Sequence, residues 1–318
     1  MNDQSSLYRE LTEPELHSVI ASAFPGEAPK TYHLLSGGLF NTTYRVVTEE
    51  HDVVLRIGPV HRELLLPYEH SLMAAEALAD RLCLENGIPA SNVLYLDTSK
   101  TIIDRDFMVV DRIDSVPLSD PSIPEECKAT LLRECGKLVR KLHQIQGNRF
   151  GRLAKIVAGK GFDNWYDAVE SEFLDVFSKA EEFHIFDADL RDRVLAFLKN
   201  HKTALDVITE PHLAHCDLWA GNVLIRKTDE TYSVCAIIDG DRAMFGDPIL
   251  DISTGWISTP DFLEGYGEHS ENDEYSAARN RVYSLFFTLQ DAYIWKIEYN
   301  RDDLFHENLL RLETILRT

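Results

Sequence analysis

Residues 214–223 read AHCDLWAGNV, with strand-like apolar residues on either side. Asp217 precedes a short loop, and Asn222 begins the next strand five residues on. A carboxylate and an amide oxygen at the two ends of such a loop can converge on one site. His215 reads as a brace for the loop rather than a reacting group. The fold turns on whether the rest of the chain supplies the partners these residues need.

Downstream, residues 237–252 read IIDGDRAMFGDPILDI. Asp239 ends an apolar strand beside a glycine turn, where a carboxylate makes a good Mg²⁺ ligand. Asp and Gly also favour turns. Asp247 is read that way, and Asp239 as functional. Upstream, VVLRIG (53–58) sets Arg56 in an apolar strand. A cation there needs an anionic partner, because leaving it unpaired is costly. Glu76, in the following helix, is the candidate; the alternative is that both side chains point to solvent. Further upstream, SGGLFNTTYRV (36–46) carries Ser36, Gly37, Gly38 and Asn41 between two strands. Glycine lets a backbone approach a ligand, and free N–H groups can cradle phosphate. A plain hairpin turn is the alternative.

The surrounding pattern gives a layout. A short helix is expected over 9–23, a hairpin over 31–57, a helix over 68–86 and strands at 93–97 and 107–113. That order is strand, strand, helix, strand, strand. From about Pro117 the chain turns helical. LLRECGKLVRKLHQI (131–145) keeps its apolar residues on one stripe. Helices follow over 164–182 and 189–208, with short strands at 222–226 and 233–239. The fold class is α+β, with a small antiparallel sheet lobe over 1–113 and a mainly helical lobe over 114–318.

Composition bounds the function. The chain has 318 residues, 44% of them hydrophobic, and a formal net charge of -21. Such a surface repels a nucleic-acid backbone. No run of about 18 apolar residues offers a membrane span. The polar, acidic start lacks the basic and apolar regions of a secretory signal, so a cytoplasmic location is the default expectation. Five scattered cysteines form no CxxC pair and read as reduced thiols.

Taken in order, the glycine loop, strand cation, helix glutamate, HxDxxxxN loop and strand-terminal Asp resemble the protein-kinase-like fold. More closely they resemble the aminoglycoside phosphotransferase family of small-molecule kinases. HCDLWAGN is similar to that family's catalytic loop, IDGDRAMFGDPILDI to its metal segment, SGGLFNTTYRV to its phosphate loop and KLVRKLH (137–143) to its L..LH helix. The resemblance runs from about residue 30 to about 255. It implies that Asp217 orients the acceptor hydroxyl and takes its proton. Asn222 and Asp239 would hold Mg²⁺ on the phosphates of ATP or GTP. Arg56 would contact the α/β-phosphates and pair with Glu76. Met108 to Ile113, including Asp111, would be the hinge against the purine, and Asp251 would brace the catalytic loop. Arg56 stands where protein kinases carry Lys, and its planar fork can bridge phosphate and carboxylate. The missing APE-type segment argues against a protein substrate.

The acceptor is expected to be a small molecule with a hydroxyl group, and a cationic one would suit the acidic stretches 162–177 and 260–275, although 268–275 reads rather as an exposed, solvated loop. Trp165, Tyr166, Trp256 and Tyr266 are candidates for stacking on it, or core residues. Aminoglycosides and other antibiotics are one class; choline, homoserine or a ketosamine are another, and the DLW after Asp217 resembles ketosamine kinases. Two other classes stay open. One is a catalytically silent kinase-like nucleotide-binding module. The other is a metal-dependent hydrolase using His215, Asp217, Asp239 and Asp241, which would leave Arg56 and Glu76 without a role.

Overall fold

The β-branched and aromatic residues of the first third build β1 (Thr31–Leu34), β2 (Thr42–Val47), β3 (Asp52–Ile57), β4 (Val93–Asp97) and β5 (Phe107–Asp111). They pair antiparallel in the order β1-β2-β3-β5-β4. The computed structural model describes residues 5–35, 40–229, 231–253, 255–267 and 273–317, so Ser36, Gly37 and Gly38 lie outside the described residues. The expected hairpin over 31–57 is in fact three strands. The EEHD turn closes a second hairpin, in which the Thr48 N–H donates to the His51 carbonyl at 2.8 Å.

Side chains alternate along β3, and the pleat sorts them. Val53, Leu55 and Ile57 pack with Leu16, Val19 and Ile20 of α1 (Glu13–Ala23). α1 starts four residues later than expected because Thr12 caps it. The Glu15 N–H donates to the Thr12 hydroxyl and the Glu15 carboxylate accepts from the Thr12 N–H. Val54 and Arg56 face the other way, toward α2 (Leu72–Glu85). Residues 67–71 form a 3₁₀ turn ahead of that helix, so it too begins later than its apolar spacing suggested.

The helical part contains α3 (Glu125–Leu142), α4 (Leu153–Val157), α5 (Trp165–Phe183), α6 (Ala188–Asn200), α7 (Lys202–Asp206), α8 (Ile249–Ser253), α9 (Pro260–Tyr266), α10 (Ser276–Tyr293) and α11 (Asp302–Arg317). The helix expected over 189–208 breaks at His201 into α6 and α7. Two three-stranded ribbons carry the loops of interest. One pairs β6 (Val116–Pro117), β9 (Val223–Thr228) and β10 (Thr231–Ile237); the other pairs β7 (Gly151–Arg152), β11 (Met244–Gly246) and β8 (His212–Ala214). Residues 215–222 span the gap from β8 to β9, and residues 238–243 the gap from β10 to β11. Both loops therefore leave the same pair of ribbons.

α3 and α9 cross at two glycines. A Cβ on Gly136 would lie 2.2 Å from the Phe262 carbonyl oxygen and 2.6 Å from the Tyr266 nitrogen, both backbone. Backbone cannot rotate away as a side chain can. Gly136→Ala is therefore expected to cost about 1–3 kcal/mol despite alanine's better helix propensity. Chemical denaturation of the variant checks this; a gain in stability would show that the crossing is looser than described.

Among the described residues no helix is long and apolar enough to cross a membrane. The five cysteines are free; Cys83, Cys135 and Cys216 are buried, while Cys127 and Cys235 are partly so. Burial pushes the Cys216 thiol well above its usual range, so it is no thiolate nucleophile.

Candidate active site

Arg56 projects from β3 and Glu76 from α2, and they meet beneath the sheet. One guanidinium nitrogen lies 2.6 Å from Glu76 Oε1, and the other lies 2.5 Å from Asp239 Oδ1. The guanidinium therefore joins the sheet part to the loop after β10. Asp239 adopts a left-handed backbone, φ 65°, which is uncommon for a residue with a side chain and typical of functional sites. Gly240 follows so closely on α2 that a Cβ there would meet the Ala79 Cβ at 2.8 Å.

Asp217 and Asn222 converge as their spacing suggested. Asn222 Nδ2 donates to the Asp217 carbonyl at 2.8 Å and to Asp217 Oδ2 at 3.1 Å. His215 is buried and braces the loop. Its Nε2 donates to the Ile238 carbonyl at 2.9 Å, and its Nδ1 accepts from the Asp217 N–H at 3.3 Å. Asp251 sits behind. Its two oxygens accept the consecutive N–H groups of His215 and Cys216 at 2.7 and 2.6 Å, and His143 Nε2 lies 3.0 Å away. Cys216 takes φ 62° to aim its N–H there. His143, the last residue of the KLVRKLH stretch, also hydrogen-bonds the Tyr266 hydroxyl at 2.8 Å.

The electrostatics separate the carboxyls. Burial raises Asp217, with the Asp239 charge adding to the rise; Arg242, His215 and the Asn222 hydrogen bond oppose it. Burial would also raise Asp239, but the charge and hydrogen bond of Arg56 outweigh it and hold that carboxyl low. Burial and the Asp239 charge push Asp241 up to about 8. Asp80, one turn beyond Glu76, is raised to about 7, mainly by burial. Carboxylate oxygens of Glu76, Asp239 and Asp241 lie within 4.8 Å of one another. Glu76 Oε2 is buried, with no hydrogen-bond partner among the described residues. Such hard oxygens fit Mg²⁺.

Other expected residues fall less centrally. Asn41 is buried at the start of β2, beside the glycine segment. Asp111 is tied to Asn92: its N–H donates to the Asn92 carbonyl at 3.0 Å and its Oδ1 accepts the Asn92 N–H at 2.7 Å. The Ile113 carbonyl accepts from the Ser115 hydroxyl. Three of the aromatic candidates for acceptor stacking are core residues. Trp165 is 1% exposed and donates to the Tyr283 hydroxyl, while Tyr166 and Tyr266 are buried; Trp256 is exposed. Asp247 does more than form a turn: buried, it pairs with Arg279 at 2.8 Å and accepts from the Tyr283 hydroxyl.

Sequence reasoning passed over Arg242 and Arg152. Arg152 is buried, donates to Glu172, to Gln290 and to the Arg242 carbonyl, and lies 4.0 Å over the Tyr68 ring. Trp219 is 45% exposed on the loop that carries Asp217, with its ring laid across Gly221.

The chain matches the phosphotransferase enzyme family (APH) over residues 31–281. It belongs to that family. The match spans the sheet, both loops and the start of α10, and the fold is shared with solved structures. APH(4)-Ia in ternary complex with AMP-PNP and hygromycin B is 19% identical, covering 95% of this chain and 98% of its own, with a TM-score of 0.65. APH(2")-IIia, solved with GDP and kanamycin, is 19% identical over 93% and 96%, with a TM-score of 0.61. A structure from Haemophilus somnus 129PT, whose fructosamine-3-kinase assignment is provisional, is 18% identical over 92% and 96%, with a TM-score of 0.63. No curated protein matches the chain. Membership makes this a small-molecule kinase of α+β, kinase-like fold.

Proposed function

We propose that this chain moves the γ-phosphoryl group of ATP or GTP onto a hydroxyl of a small molecule, with a cationic, aminoglycoside-like acceptor as the first reading. The observation that carries it is the Arg56 guanidinium, held between Glu76 and Asp239, while Asp217 is bonded to Asn222 on the adjoining loop, whose Asn222 carbonyl accepts the Ile238 N–H. A silent binding module would not need Asp217 kept half-buried and bonded to Asn222. A metal hydrolase would leave Arg56 and Glu76 unexplained.

In this reading the sheet part, residues 1–113, takes the nucleotide, with Ser36, Gly37, Gly38 and Asn41 at the phosphates and Asp111 to Ile113 at the purine. Residues 114–318 hold the acceptor. Asp217 accepts the acceptor's proton, and Asn222 keeps its carboxylate oriented. Arg56 exchanges Asp239 for phosphate oxygens while keeping Glu76. Asp239, Asn222 and Asp241 are the residues suited to Mg²⁺, which when bound neutralises charge on the phosphates. Phosphoryl transfer asks little covalent chemistry of a protein, so positioning and charge balance carry the rate.

The net charge of -21 favours a cationic acceptor. Trp219 supports a second reading, a ketosamine kinase. An exposed indole two residues past Asp217 offers a flat face to a sugar or apolar ring. A mass-spectrometric screen with Mg-ATP or Mg-GTP tests both against aminoglycosides, other hydroxyl-bearing antibiotics, choline, homoserine and ketosamines. The expected result is gain of one phosphoryl group on one class, absent with Asp217→Asn. No nucleotide binding by calorimetry would overturn the reading.

A further inference from the structure

Arg242 stands three residues after Asp239, and its charge bears on Asp217, Asp239 and Asp241. Its guanidinium reaches the 3₁₀ turn ahead of α2. Nη1 donates to the Tyr68 hydroxyl at 3.3 Å, and Nη2 lies 3.7 Å from Glu69 Oε1. Glu69 is 3% exposed. Its Oε2 accepts the Leu66 N–H, while its Oε1 accepts no hydrogen bond from the described residues.

Beside Glu69 lies Glu298, 0% exposed, at the end of a π-helical turn, Ile294–Glu298, that continues α10. Such turns are rare and gather at functional sites. This one is pinned on both sides. The Tyr293 hydroxyl donates to the Leu64 carbonyl at 2.6 Å, and the Ser6 hydroxyl to the Glu298 carbonyl at 2.5 Å. Neither carboxylate oxygen of Glu298 has a hydrogen-bond donor among the described residues. The two carboxyl groups meet within hydrogen-bonding reach. Among the described residues these three buried acceptor oxygens have no hydrogen-bond donor, and Arg242 is the cation whose charge bears on them.

Two ionised carboxylates cannot rest in that arrangement, because each would be desolvated and repelled without compensation. One proton between them supplies the missing donor and leaves a single charge for Arg242. Burial and the Glu69 charge both push Glu298 upward, which agrees. Other groups near the pair are Tyr68, Tyr293 and Tyr299, whose hydroxyls burial keeps neutral, His70 beside Glu69, and Arg152 over the Tyr68 ring.

We propose that Glu69 and Glu298 are positioning residues for the transfer reaction: they share one proton, present one negative charge to Arg242, and so hold that guanidinium beside Asp217 and the metal segment. The role, though not the pairing, rests on the phosphotransferase reading above.

The test uses the full chain with Glu69→Gln, Glu298→Gln, the double variant and Arg242→Ala. Three readouts are taken at neutral pH: the infrared carbonyl band of a protonated carboxyl, Mg-ATP hydrolysis with water as acceptor, and thermal unfolding. Each single variant is expected to lose one protonated-carboxyl signal and less than about threefold in kcat, since one charge remains. The double variant is expected to lose more than about tenfold in kcat, well beyond the product of the singles, with KM for Mg-ATP little changed. Adding Arg242→Ala to the double variant is expected to cost nothing further. The proposal is overturned if the single variants keep the infrared signal, if either alone matches the double, or if the double lowers only the unfolding temperature. Absent hydrolysis in the parent chain would count against the phosphotransferase reading, while the infrared arm would still decide the pairing.

Discussion

Asp217→Asn is expected to lower phosphoryl transfer by about 10²–10⁴-fold while leaving nucleotide binding intact. The amide cannot accept the acceptor's proton, yet its oxygen can still take the Asn222 hydrogen bond now made to Oδ2 at 3.1 Å. The loop should keep its shape, because His215 and Asp251 hold it through the backbone rather than through the Asp217 side chain. Stability moves the opposite way to activity. Folding raises the Asp217 carboxyl above its ordinary range, chiefly by burial. A carboxyl raised on folding favours the fold at low pH and opposes it once the pH passes its unfolded value. The neutral amide removes that opposition, so unfolding at neutral pH should occur at or above the parent temperature. Turnover, calorimetric nucleotide titration and thermal unfolding on one preparation check all three. Transfer near the parent rate would remove Asp217 from its role.

The second large effect concerns the bridge beneath the sheet. Arg56→Met should cost about 3–5 kcal/mol of stability in the absence of nucleotide. The guanidinium is the cation between Glu76 and Asp239, and its charge also bears on Asp80 and Asp241. Its removal leaves several buried carboxyls facing one another. Arg56→Lys should fall between, since a single ammonium cannot reach both partners with a planar fork. Millimolar Mg²⁺ should raise the unfolding temperature of Arg56→Met more than that of the parent, because a divalent cation can take over the neutralising role. Denaturant titrations with and without Mg²⁺ provide the comparison. A variant as stable as the parent would mean that the carboxyls do not depend on Arg56.

The fold was legible in the sequence to the extent that its signals were local. Alternation along 52–57 and the single stripe along α3 survive into the structure because strand pleat and helix period are short-range. The polar turn at Glu49 to Asp52 is legible in the sequence, but the count of strands over 31–57 fell short by one because β1 is only four residues long and exposed, with no apolar alternation to mark it. The pairing of Arg56 with Glu76 follows from a cation set in an apolar strand, while the brace at Asp251 came through the family pattern. Arg242, Glu69 and Glu298 did not, since they meet from positions as far as 229 residues apart. A buried charge in a sequence announces a need for a partner but not where the partner lies. Trp165, Tyr166 and Tyr266 erred the other way. An aromatic looks alike in sequence whether it faces a ligand or, as Trp165 does, the hydroxyl of Tyr283.

Asp251 gathers two consecutive peptide N–H groups from the strand end that leads into the catalytic loop, and it does so from inside the helical core. The shape of that loop is thus inherited from α3 and α8, not from whatever lines the acceptor's approach. Drift in the lining can change what is phosphorylated without retuning how. For directed evolution, libraries that spare His143, His215 and Asp251 should retain folded, nucleotide-competent members even when the outer helices are heavily varied.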